Sequence, residues 1–207
     1  MAAIEALIRI DADFAGILER AGPLPWRTRT AGFPGLLQAI VAQMISNQAA
    51  AAIWGWLRAV PGALEPAVLI GLPDEVLRAA GLSRPKVVHA RALAKAFLDG
   101  TLSAEKIALL DDEAAIVTIG SIKGLGRWTA EIYLLFALGR LDVFPSGDIA
   151  LAAALADLKG LADRPAPKAL REMAMAWQPV RSLAARLLWH HWRLVTGRPA
   201  MDDFRGV

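Results

Sequence analysis

Apolar positions along this chain recur every three or four residues, the period of a helix with one buried face, and no stretch alternates with period two. Helices are predicted at residues 2–9, 13–21, 34–44, 48–60, 64–70, 73–80, 84–98, 103–110, 111–119, 127–138, 149–158, 168–177 and 179–195. Some of these are short pieces of one element, so an all-α fold of about ten helices is expected. Gly22-Pro23-Leu24-Pro25, Pro61-Gly62, Asp99-Gly100 and Gly160 break the pattern, Pro165 and Pro167 mark a loop, and Asp11, Ser46 or Asn47 can cap the helices that follow them. Pro is expected at the first helical position of 73–80 and of 179–195. Residues 30–57 carry no charge, yet Gln38, Gln43, Ser46, Asn47 and Gln48 interrupt them. Polar groups at the centre of a bilayer would be costly, so two buried amphipathic helices joined by a polar corner are expected there rather than a membrane span.

Between the helices predicted at 111–119 and 127–138 stands Lys123-Gly124-Leu125-Gly126, which continues neither, because two glycines in four residues favour positive φ and turn geometry. A glycine turn that opens a helix gathers backbone N–H groups at the positive end of the dipole. That makes a place for a phosphate oxygen rather than for a base edge. The same turn also serves as an ordinary αα corner. Further on, Phe144-Pro145-Ser146-Gly147-Asp148 sets an acid at the start of the next apolar run, where Asp148 reads as an N-cap.

Taken together, residues 121–148 resemble the helix-hairpin-helix superfamily of DNA base-excision glycosylases, whose hallmark is this hairpin followed by a Gly/Pro-rich loop and an essential Asp. Within it the likeness is to the bacterial 3-methyladenine DNA glycosylase II branch, through GLGRWTAE at 124–131 and WQPVRSLAARLLW at 177–189. The resemblance implies two helical lobes with the motif at the mouth of the cleft between them. One lobe is assembled from both chain ends (1–31 and 142–207); the other is central (32–141) and contains the hairpin. Asp148 becomes the catalytic carboxylate, Trp128, Ile132 and Trp189 line the substrate pocket, and Lys123, Gly124, Leu125, Gly126, Arg127 and Thr129 contact DNA. QMISNQ at 43–48 resembles the family's QQxS segment, which adds Gln43, Met44 and Ser46 to the DNA contacts. Met44 stands where the family pushes a side chain into the gap left by an extruded nucleotide. An unbranched apolar side chain suits such a wedge, although a Met near a helix end is also a common core residue. GLSRPKVVHARALA at 81–94 resembles a further family segment, in which Arg84 and Lys86 are either phosphate contacts or solvated helix-end charges.

What this implies chemically follows from the groups present. A glycosidic bond ordinarily needs one carboxylate to stabilise the oxocarbenium-like sugar and a second group to protonate the leaving base. One acid suffices when the base already carries positive charge, as N3- or N7-alkylated purines do. An indole face beside such a cation contributes about 0.5–2 kcal/mol, the role implied for Trp128 and Trp189, although with seven Trp in the chain most must be core. Trp128 stands where bifunctional relatives carry a Schiff-base Lys, and an indole cannot attack C1′ as an amine does, so a monofunctional hydrolase without lyase activity is expected. Ile132 stands where the branch often has Tyr, which leaves hypoxanthine or ethenoadenine open as alternative lesions. A DNA-binding module without chemistry, which the hairpin alone would support, is the other alternative.

Composition narrows this little further. The chain has 207 residues, formal net charge +3 and no Cys, which excludes disulfides, a thiol nucleophile and a Cys-ligated cluster. Arg164, Lys168, Arg171, Arg181, Arg186, Arg193, Arg198 and Arg205 outnumber Glu172, Asp202 and Asp203, so the C-terminal part is the more basic. His89, His190 and His191 lack metal-ligand spacing, and neither metal nor cofactor is expected. Glu5, Asp11 and Asp13 near the N-terminus do not resemble a secretion signal. The expectation is a cytoplasmic, nucleoid-associated monomer whose partner is damaged double-stranded DNA.

Overall fold

The computed structural model describes residues 2–26 and 28–197. Arg198, Asp202, Asp203, Arg205 and the expected polar tail at 197–207 lie outside them but for Gly197. The described residues are all-α, with no strand. In order they form α1 (Ala2–Ile10), a 3-10 turn (Ala12–Phe14), α2 (Ala15–Ala21), α3 (Phe33–Ala42) and α4 (Asn47–Ala59). Next come α5 (Pro66–Leu69), α6 (Asp74–Ala79), α7 (Arg84–Leu98), α8 (Ala104–Leu109), α9 (Asp112–Gly120) and α10 (Arg127–Phe136). The chain closes with α11 (Ile149–Lys159), α12 (Pro167–Ala174), a second 3-10 turn (Met175–Trp177) and α13 (Arg181–Thr196). Two proline placements differ from the sequence-based expectation. Pro73 is the N-cap of α6 rather than its first helical residue, and α13 starts after Val180, beyond Pro179. Pro167, expected in a loop, opens α12, where its missing N–H costs nothing.

The chain divides into two compact units, which among the described residues are 2–26 with 139–197 and 28–138. Both divisions fall earlier than the expected 31/32 and 141/142. The backbone N–H of Arg29 donates to Phe136 (2.8 Å) and its guanidinium lies over the Phe136 ring, which binds the segment after residue 27 to α10. Leu141, by contrast, accepts from the N–H of Ser182 on α13 (3.0 Å).

In the unit made from both ends, α11 packs on α13, and α13 on α1 and α2. Trp177 is fully buried with its ring edge-on to Phe14 (5.3 Å) and tilted against Phe144 (5.6 Å), contacts worth about 0.5–1.5 kcal/mol each beyond area burial. Its indole N–H donates to Asp11, which also pairs with Lys159 at 2.7 Å. In the other unit α3 packs on α4, α7 and α10 and buries Phe33, Leu36, Leu37, Ile40 and Val41, which explains its lack of charge. The uncharged run continues into α4, an amphipathic helix that buries Ala50 and Leu57 and exposes Trp56. No helix among the described residues is long and apolar enough to cross a membrane.

Candidate active site

Asp148 ends a tight turn in which its own N–H donates to Pro145 and that of Ser146 to Phe144 (2.9 and 2.8 Å). It then caps α11: Oδ1 accepts from the N–H of Leu151 at 3.0 Å. The same oxygen accepts from Nε1 of Trp189, on α13, at 3.3 Å. The carboxylate is 8 % exposed, so its direction is set by two donors on two helices. One turn before Trp189, the buried Arg186 puts its guanidinium 4.6 Å from the ring centroid of Trp26. Trp26 is itself 62 % exposed, an aromatic surface held flat on a buried cation. Sequence reading placed Trp26 in a loop, and nothing in its neighbourhood there signals the Arg186 contact. His190 and His191 are engaged with the Gly22 carbonyl (3.0 Å) and with Asp157 (2.6 Å). Among the described residues, no three or more acids and histidines are grouped as metal ligands.

In the other unit α9 and α10 frame the hairpin, at residues 121–126. Gly124 has φ +91°, and a Cβ there would fall 2.1 Å from Cγ of His89, so glycine is required twice over. Gly126 differs from expectation. Its φ of −94° is extended, open to any residue, and space for a Cβ is empty. As N-cap of α10 it supplies no side-chain cap, which leaves the backbone N–H groups of the first turn to other acceptors. Lys123 is exposed beside it. Leu125 and Thr129 are buried beneath the hairpin, and the N–H of Leu125 donates to Ile122 at 2.9 Å.

Arg127, expected on DNA, has partners within the protein: Nη1 and Nη2 grip both oxygens of Glu113 at 2.7 Å and Nε reaches Glu131 at 2.9 Å. The hydrogen bonds that it donates to Glu113 raise its pKa above the ordinary arginine range, and Glu131 adds to this. Two carboxylates answer the charge in this structure. Trp128 is half-buried on the first turn of α10. Ile132 is 1 % exposed and offers no open surface to a ligand, so it packs as core rather than as pocket lining in this conformation. Tyr133 beside it is buried too, its hydroxyl accepting from the N–H of Gly32 at 2.7 Å.

The corner between α3 and α4 holds the remaining candidates. α3 stops at Ala42, earlier than expected, because Gln43 turns extended and Met44 enters the left-handed region at φ +58°. No other non-glycine among the described residues has positive φ, and the Met44 side chain is 100 % exposed. That rules out the core alternative for Met44. Ser46 caps α4, its Oγ accepting from the N–H of Ala49 at 3.2 Å. Gln43 turns to the hairpin: Nε2 donates to the Gly124 carbonyl at 2.8 Å. Arg84 is exposed, but Lys86 is buried with Nζ on the Val41 carbonyl at 2.7 Å, so it serves neither of the roles expected of it.

Residues 37–179 match the family described as HhH-GPD superfamily base excision DNA repair protein. The chain belongs to this family. In structure it is similar to a DNA-3-methyladenine glycosidase of Bacillus halodurans, with 30 % identity, a TM-score of 0.84, and 96 % of this chain and 92 % of that one covered. It is also similar to the Schizosaccharomyces pombe 3-methyladenine DNA glycosylase Mag1, solved with abasic DNA, at 25 % identity and a TM-score of 0.83, covering 93 % and 96 %. The alkylbase DNA glycosidase-like protein mag2 of S. pombe is 27 % identical over 88 % of this chain and 89 % of its own length.

Proposed function

We propose that the chain is a monofunctional DNA glycosylase that hydrolyses the N-glycosidic bond of flipped-out alkylated purines, 3-methyladenine and 7-methylguanine among them, in double-stranded DNA. The observation that carries this is the Asp148 carboxylate, buried and aimed by the N–H groups of Leu151 and Trp189. A carboxylate fixed before substrate arrives stabilises positive charge as it develops at C1′ without reorganising. The bond from C1′ to the base nitrogen breaks, its electron pair neutralises the alkylated base, and water adds to C1′ and gives up a proton, with Asp148 as acceptor or orienter. Trp128 and Trp189 supply aromatic surface that favours a cationic base. The exposed Met44 fills the space of the extruded nucleotide, and Lys123 with the backbone at Gly124 and Gly126 holds phosphate. The names of the similar glycosylases, and Mag1 in complex with abasic DNA, support the substrate class.

Single-turnover base release from duplexes of matched sequence tests this. Release of 3-methyladenine and 7-methylguanine should be fast, hypoxanthine and ethenoadenine slow, and uracil hardly detectable, because this reading assigns the chemistry to the one acid Asp148 and a neutral leaving base needs a second group to protonate it. Uracil leaving as fast as 3-methyladenine would show a hidden general acid. Since capping α11 is a sufficient structural reason for Asp148, a DNA-binding module without chemistry is the competing account; tight binding with no release of any base would establish it.

A further inference from the structure

Two side chains one turn apart on α7 reach the two elements assigned above to DNA. Lys86, 8 % exposed, donates from Nζ to the carbonyl of Val41, in the last turn of α3, where no further helical N–H follows. His89 stands against Gly124, where it would meet any Cβ. Gln43 donates to the carbonyl of that same Gly124. Met44 follows Gln43 on a left-handed backbone. An apolar residue at position 86 would avoid the cost of burying an ammonium, which is high unless the group is paired. Burial also holds the Lys86 pKa below the ordinary lysine range. The charge is therefore spent on one carbonyl at the root of the Met44 corner.

We infer that Lys86 is a positioning residue: by fixing the end of α3 it braces Met44 against the base stack, in register with the hairpin at Gly124, and Gln43 completes the tie. Opening a base step costs a few kcal/mol, and a wedge that yields under that load does not hold the gap. The inference rests on the glycosylase reading above and adds to it a coupling between the corner and the hairpin.

The test compares single-turnover release of one alkylated purine from two duplexes, in one of which the lesion is paired and in the other faces an abasic site. Lys86→Met should lower the rate about tenfold on the paired target and leave the unpaired one within about twofold, and it should add nothing to Met44→Ala in the double variant. Equal losses on both targets, or additive losses in the double variant, would overturn the inference. If Lys86→Met does not fold, Lys86→Gln, which keeps a shorter donor, is read by the same ratio. If the wild type releases no base at all, the glycosylase reading fails and the brace is judged separately. Emission of 2-aminopurine beside an abasic site should then rise on saturation with wild type and not with Lys86→Met. Equal emission from both proteins, or no rise with either, would remove the brace.

Discussion

At Asp148 one oxygen both caps α11 and receives the Trp189 indole N–H. Asparagine also caps helices well and keeps an oxygen in that place, while it removes the charge. Asp148→Asn should therefore unfold at wild-type denaturant, bind abasic-site duplex within a few-fold and release no base. Asp148→Ala also loses the cap, at a cost of about 1 kcal/mol. Near-wild-type turnover by the Asn variant would end the catalytic assignment. Met44 separates function from stability in the opposite sense. A non-glycine residue in the left-handed region costs about 1–2 kcal/mol, and glycine gives back about 0.5–1 in backbone entropy. Met44→Gly should consequently be no less stable than wild type in urea, yet slow on a paired lesion. Substantial destabilisation would mean that the side chain packs somewhere after all.

The glycine hairpin offers a comparison between neighbours on the same turn. Gly124→Ala places a Cβ inside the His89 ring at positive φ and should cost on the order of 1–3 kcal/mol in chemical denaturation. Gly126→Ala meets neither obstacle, so it should fold normally and lose affinity for all duplex sequences alike, through closer crowding of a phosphate at the start of α10. A loss confined to particular sequences would remove the phosphate site. How much of this was legible beforehand follows from what is local in sequence. Ser46 and Asp148 announce helix starts through caps only three residues long, and the hairpin and the polar corner stand out against apolar surroundings. The pairing of Arg127 with Glu113 spans 14 residues and that of Lys86 with Val41 spans 45, and no local pattern separates a buried Lys or a satisfied Arg from a solvated one. Ile132 was assigned by analogy of position, whereas its burial depends on how α9 and α3 pack on α10.

The unit built from both chain ends is joined through Asp11. Burial alone would raise its pKa, but hydrogen bonds from Lys159 and Trp177 outweigh that and hold it below the ordinary carboxylate value. A folded pKa below the unfolded one means stability that is present above about pH 4 and lost as pH falls through the folded value. Asp142, hydrogen-bonded by Arg181 against the same effect of burial, acts in the same direction. Urea midpoints should fall between pH 5 and pH 2, and Asp11→Asn should lower the midpoint at pH 7 while flattening that dependence; an unchanged slope would place the acid lability elsewhere.

The same joint has a consequence in time. Residues 28–138 are contiguous in sequence. Asp11 and Phe14 instead wait for Trp177, in Asp11's case 166 residues downstream. At ordinary translation speeds of roughly 5–20 residues per second that interval is on the order of ten seconds. Throughout it α1 and α2 wait for α13 with the apolar faces that it covers left open, so they form a segment on which a chaperone would act.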